Sequence, residues 1–324
     1  MRIKPLLANA VLALLIFVIG QQQALADKYP TKPVKIIVPL SPGGASDTNA
    51  RIVAAELSKR LGQQFIVDNR TGAGGSIGTA IAAKAKPDGY TILWVSNTNM
   101  VVSSQLYNVK YNTLRDFVPL ALVTRANNVL YVNNSVPVKS AKELIALAKK
   151  KPGELFYSSS GNGSTVHMSF ELFKTATGID VTHVPHKGGK GSVLSVLNGQ
   201  AQTAIHVATR VAKLAKAGKV RPLGVTGDIR SPLLPKIPTL KELGIDVEIW
   251  LWGGFIAPKG TPKAIVEKLS SEILDIVKMP SVKKKFAERG SEAWPMDSKQ
   301  FRKFSKSEYV KWGKAIKASG AKID

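Results

Sequence analysis

The chain has 324 residues, 44% of them hydrophobic, and no cysteine. That apolar fraction excludes a disordered polymer, and the lack of cysteine excludes a disulfide framework, so packing must hold the fold. Its 46 Lys and Arg against 22 Asp and Glu give a formal charge of +24, a field that concentrates anions, be they nucleic acid, lipid or small solute.

A positive start at Arg2 and Lys4, an apolar run from Leu6 to Ile19 and the small-x-small triplet Ala24-Leu25-Ala26 predict an export signal over 1–26, with Asp27 as the mature start. The run is shorter than the roughly 20 residues a spanning helix needs, which weighs against an uncleaved anchor. Arg2 and Lys4 leave with the signal, so the mature chain carries +22 of the +24. Lysine runs at 149–151 and 283–285 read mostly as solvated helix faces. An exported chain without the interleaved aromatics of a single-strand groove points away from nucleic acid.

From the mature start, short β-branched runs alternate with helical patterns, the sign of βαβ units and an α/β fold. Strands are expected at 34–38, 64–68, 91–95, 129–132, 155–158, 181–184, 203–207 and 221–225. Helices are expected at 47–61, stopped by Gly62, then from Ser140 to the break at Pro152-Gly153, then at 166–177, 192–198 and 210–217. Ser140 with Glu143 three residues on forms a capping box. Beyond Val225 the pattern changes to a proline-bearing loop at 231–238, a short helix capped by Thr239 and Glu242, and an extended segment over 248–257. Thr261-Pro262 opens a helix over 263–278, and two more follow at 282–289 and 299–319.

Three Gly- or Ser-rich loops join a strand to a helix: PLSPGGASD (39–47), VSNTN (95–99) and YSSSGNGS (157–164). Strand ends line the crevice of an open α/β sheet, glycine admits an anion close to backbone N–H groups, and a helix start adds free donors and a positive dipole end. Each loop suits one carboxylate. The competing reading makes them plain connections, with Asp47 and Ser164 as helix caps.

In their order along the chain, YPTKPVKIIVPLSPGGASD, GQQFIVDNRTGAGGSIGT, KPDGYTIL, DFVPLALV, KPGELFYSSSGNGSTVH, THVPHKGG, AGKVRPLGVTG, IPTLKELG and WGGFIAPKGTP resemble the extracytoplasmic solute receptors of tripartite tricarboxylate transporters, the Bug proteins. The resemblance runs from Lys28 almost to the end. It implies a two-lobed, type II (Venus flytrap) periplasmic binding protein with crossing hinge strands, lobe 1 from 27–125 with 253–324 and lobe 2 from 126–252. It further implies a monomer that takes a small carboxylate solute and passes it to membrane permease subunits, with no cofactor, metal or catalytic group. One carboxylate would be held through waters by the loop bearing Ser41, Gly43, Gly44, Ala45, Ser46 and Asp47, the other directly by Ser159, Ser160, Gly161, Asn162, Gly163 and Ser164. Ser96 and Asn97, from the middle loop, complete the expected wall.

Departures from the family pattern bear on specificity. After Val-Pro the family usually has Tyr-Lys-Gly, and this chain has His186-Lys187-Gly188. Where many members carry an acidic or amide residue and a proline, this one reads IHVATR (205–210), which makes His206 and Arg210 candidate anion contacts. The alternative puts Arg210 in solvent. A periplasmic ligand carrier for a sensor would share the same fold. A hydrolase reading rests on Gly74-Gly75-Ser76-Ile77-Gly78, which matches G-x-S-x-G, although six loop residues, 69–74, separate Asp68 from Gly75 where an elbow leaves its strand directly. A metal site from His183, His186 and His206 lacks a supporting motif, and the odd spacing of His183 and His186 puts them on opposite faces of a strand.

Overall fold

The computed structural model describes residues 28–321, so the export signal and the mature start lie outside the described residues. Strand β1 (Val34–Val38) pairs in parallel with β2 (Phe65–Asn69) on one side and β3 (Thr91–Ser96) on the other. Helix α1 (Ala45–Leu61) covers these strands and ends at Gly62, whose φ of 68° supplies the left-handed stop. Val34, Ile36, Val53 and Leu57 are fully buried between them. Helix α2 (Ser76–Ala83) was not foreseen, because GSIGT offers too little apolar periodicity to read as a helix. The expected loop after β3 is instead a π-helical turn, Asn97–Val102, running into the short α3 (Ser103–Leu106).

One strand organises the rest. Strand β4 (Phe117–Asn133) is 17 residues long, where only 129–132 was expected. Pro119, Arg125, Asn127 and Asn128 break its β-branched pattern. Pro119 is accommodated at a register shift against β9 (Trp250–Pro258), where an absent N–H is tolerated. From Phe117 to Asn127 β4 pairs with β9, and from Asn128 to Asn133 with β7 (Thr203–Val207) and β8 (Val220–Val225). Strand β9 in turn pairs with β3, and β10 (Glu292–Met296), also unforeseen, pairs with β4 over 122–125. Two strand groups therefore share β4, in the order β2-β1-β3-β9-β4-β7-β5-β6, with β5 (Phe156–Ser159) and β6 (Thr182–Pro185) parallel.

Helix α4 (Ala141–Lys150) confirms its cap: Ser140 Oγ accepts the Glu143 N–H at 3.2 Å, while the Glu143 carboxylate takes the N–H of Lys139, one residue earlier than a standard box. Helix α5 (Thr165–Thr177) follows β5, and α6 (Gly188–Leu197) starts four residues before the expected Ser192. Helix α7 (Ala208–Lys216) follows β7. Thr239 and Glu242 exchange the expected capping bonds but hold a turn rather than a helix. Helices α8 (Lys263–Lys278) and α9 (Pro280–Ala287) pack beside α1, and α10 (Ser298–Ser319) lies against both β4 and α5. No described helix is long and apolar enough to cross a membrane.

Candidate ligand-binding cleft

A cleft of ≈ 1410 Å³ opens between the two strand groups, floored by residues 124–126 of β4 and 251–253 of β9. One wall holds the ends of β1 and β3 with the starts of the segments that follow them, contributing Gly43, Ala45, Ser46, Ser96 and Asn97. The facing wall holds the first turns of α5 and α7, through Thr165, Val207 and Thr209. This is the crevice beyond strand ends where α/β sheets bind ligands. Arg125, Lys213, Lys216, Lys236 and Arg289 also line it, against Glu288 as the one acid among the described lining residues, so the cavity favours anions.

Asp47 serves the first loop rather than the cleft. Its carboxylate accepts from Gly43 N–H (2.9 Å), Arg51 Nε (2.9 Å) and Asn69 Nδ2 (3.0 Å) and is 3% exposed. Burial alone would raise its pKa, but these bonds outweigh it and hold the carboxyl below the usual range. An ionised group so committed fixes Gly43, whose φ of 75° turns the loop, and would repel an anionic ligand. Ser41 and Gly44 close the turn through Gly44 N–H to Ser41 O, outside the lining. Asn97 is likewise committed: Nδ2 donates to Trp250 O and Oδ1 accepts from Trp252 N–H, both at 2.8 Å. It fastens β3 to the floor strand. Ser96 binds Asn99 Oδ1 through its N–H and hydroxyl.

On the opposite wall the loop from Ser159 to Ser164 is braced from beneath. Ser159 Oγ accepts the Gly161 N–H (3.1 Å) and meets His183 Nε2 (2.6 Å), while the Gly163 N–H donates to His167 Nδ1 (3.1 Å). The rings of His167 and His183 stack 3.8 Å apart, continuing to Tyr157 and Phe170. Burial first, then the Lys174 charge, lowers His167 to about 4, and burial with the neighbouring His167 lowers His183 to about 4. Neutral His167 is what the geometry requires, since its Nδ1 accepts. The Gly161 and Gly163 peptides are thus spent internally, against the expectation that they grip the ligand. The start of α5 adds donors, and its first residue, Thr165, reaches the cleft. Ser164 is the cap, its Oγ accepting from His167 N–H, and Asn162 is exposed at the loop tip.

His206 corrects its expectation. It is 3% exposed, with Nε2 3.0 Å from Ser192 Oγ, and burial with the Arg210 charge lowers it to about 3. It is a neutral buried prop, because its place in β7, opposite Val129 of β4, turns its side chain inward onto Ser192. Arg210 stays exposed. His186 is half-buried with Nε2 sealed and unpartnered, and Lys187 is exposed at the cap of α6. Ser159 and Ser160 accept from His186 N–H and Gly188 N–H, which join the two loops. His183 and His206 sit in separate hydrogen bonds, and no group of metal-ligating side chains is found among the described residues. Ser76 opens α2 behind a 3₁₀ turn over Ala73–Gly75, 7% exposed, so no nucleophile elbow forms.

Sequence reasoning missed Asn49, Trp94, Thr124, Arg125 and Ser291, all in the cleft wall. Arg125 lies over the Trp250 ring at 4.0 Å and pairs with both Asp228 and Glu292. Only the pairing of β4 with β9 and β10 brings these groups together. No local spacing in the sequence carries that signal.

Crossing strands, two walls and a cationic cleft define a two-lobed solute-binding protein. A family model described as the tripartite tricarboxylate transporter family receptor matches residues 49–321, and the chain belongs to that family. BugT of Bordetella pertussis (strain Tohama I) is 35% identical over 301 residues, covering 92% of each chain. An R. palustris protein solved with adipate is 36% identical at a TM-score of 0.77, covering 91% of this chain and 100% of that one. MatC from Rhodopseudomonas palustris, with bound malate, is 26% identical at a TM-score of 0.72, covering 89% and 100%. The family consists of receptors, so the chain is a solute-binding protein and not an enzyme.

Proposed function

We propose that the protein is exported to the periplasm, closes two lobes over a small di- or tricarboxylate, and delivers it to the membrane subunits of a tripartite tricarboxylate-type transporter. The lobes of this reading are 27–125 with 253–324, and 126–252. The observation that carries this reading is the cleft itself: unpaired helix-start donors at Thr165 and Thr209 face the Gly43 loop across a floor of two crossing strands. A buried carboxylate without such donors would be prohibitively destabilised, whereas preset N–H groups replace its water. At ≈ 1410 Å³ the cavity exceeds the roughly 300–1,000 Å³ of a closed small-molecule pocket, which suits an open receptor. The relatives solved with adipate and malate indicate the ligand class.

A thermal-shift screen of mono-, di- and tricarboxylic acids tests the reading. A ligand at 100 times its dissociation constant should stabilise the fold by about 2.7 kcal/mol. A screen in which no carboxylate raises the melting temperature would sink it.

A further inference from the structure

The wall formed by α6 and α7 carries an unbalanced charge. Arg210 is the third residue of α7, at the positive end of that helix dipole, where a cation is disfavoured. It has no hydrogen bond or ion pair among the described residues. Its guanidinium nonetheless has a defined seat above Gly189 in the first turn of α6, a second positive dipole end. A Cβ at Gly189 would lie 2.5 Å from Arg210 Nη1 and 3.5 Å from Ser160 Oγ. Glycine at 189 therefore makes room for the guanidinium beside the Ser160 hydroxyl. Just ahead of that helix His186, packed against Gly191, keeps a sealed Nε2 without a partner. Two helix starts, a hydroxyl and a guanidinium converge with no carboxylate among them; Arg210, Gly189 and Ser160 stand outside the lining of the open cleft, and Thr209, next to Arg210, is the residue that joins them to it. Such a cluster of like-signed groups is relieved by an anion.

We propose that Arg210 is a specificity-determining contact that takes one carboxylate of the ligand through its planar fork, so that the protein selects acids with two or more carboxylates over monocarboxylates. This rests on the reading of the cleft as a carboxylate site. The fork matters because two parallel N–H donors match a carboxylate, which the point charge of lysine does not.

Calorimetry on the exported full chain, with adipate and malate each beside its monomethyl ester, gives a selectivity ratio free of any effect on overall folding. Arg210→Gln should lower the preference for the diacid tenfold or more, at 0.05 and at about 0.2 M salt alike, since a contact is screened far less than a long-range field. Gly189→Ala keeps the charge but pushes the guanidinium from its seat, and should lower the ratio at an unchanged melting temperature. Arg210→Lys should fall between. If both diacids bind and Arg210→Gln or Gly189→Ala keeps the wild-type ratio, the Arg210 contact is overturned while the carboxylate receptor stands. If the wild-type protein binds no acid at all, both fall.

Discussion

His167 and His206 are two of the three histidines whose chemistry burial alters, His183 being the third. Both are nearly fully buried, and their pKa values fall from an ordinary 6.5 to about 4 and about 3. The unfolded chain takes up protons below pH 6.5 that the native protein refuses, so their contribution is complete above 6.5 and is lost as the pH drops beneath it. Each residue should cost about 1.4 kcal/mol per pH unit in that range. Asp47 and Glu56 have lowered values, so their losses come at more acid pH and leave the window from 6.5 to 5 to histidine. Urea unfolding at pH 7, 6 and 5 should show the decline, and a flat midpoint would contradict buried neutral rings. At this scale the sequence marked His206 as unusual without its direction. Only the pairing of β7 with β4 decides that it turns inward onto Ser192.

Among the elements, helix starts were legible and the long strand was not. Ser140 and Ser164 cap their helices, and Thr239 makes the same bond although only a turn follows, because a cap is a bond between residues three apart and needs nothing distant. Strand β4 is the contrary case: its polar centre is held by partners far along the chain, with Thr124 opposite Gly253 and Asn128 opposite Val207. Asn97 measures that dependence. Asn97→Ala would leave Trp250 O and Trp252 N–H without their buried partner, at about 1–3 kcal/mol for each orphaned group. Denaturant melts should show a loss of roughly 2 kcal/mol or more. A loss under half a kilocalorie would mean that water takes over both bonds.

For the molecule as a whole, β4 runs from one strand group into the other with β9 beside its first half, and Arg125 ties Asp228 on one side to Glu292 on the other. Helix α10 braces the same junction against α5. A junction built from continuous strands with ion pairs around it suits a hinge, since small backbone rotations there swing both walls. Small-angle scattering should therefore give a smaller radius of gyration with saturating diacid than without it. An unchanged radius under confirmed saturation would argue for a rigid cleft.

The sequence by itself determined the alternation of strands and helices, the caps, the family and the loop that carries Gly43, because those depend on neighbours within a few residues or on a pattern shared along the whole chain. Tertiary structure alone decided which loops face the cleft, that the Gly161 and Gly163 peptides are spent on Ser159 and His167, and that Arg210 stays unpaired above Gly189 while His206 does not. The reason is physical: a polar group's role is set by the partners that surround it, and in this fold those partners come from strands and helix starts distant in sequence.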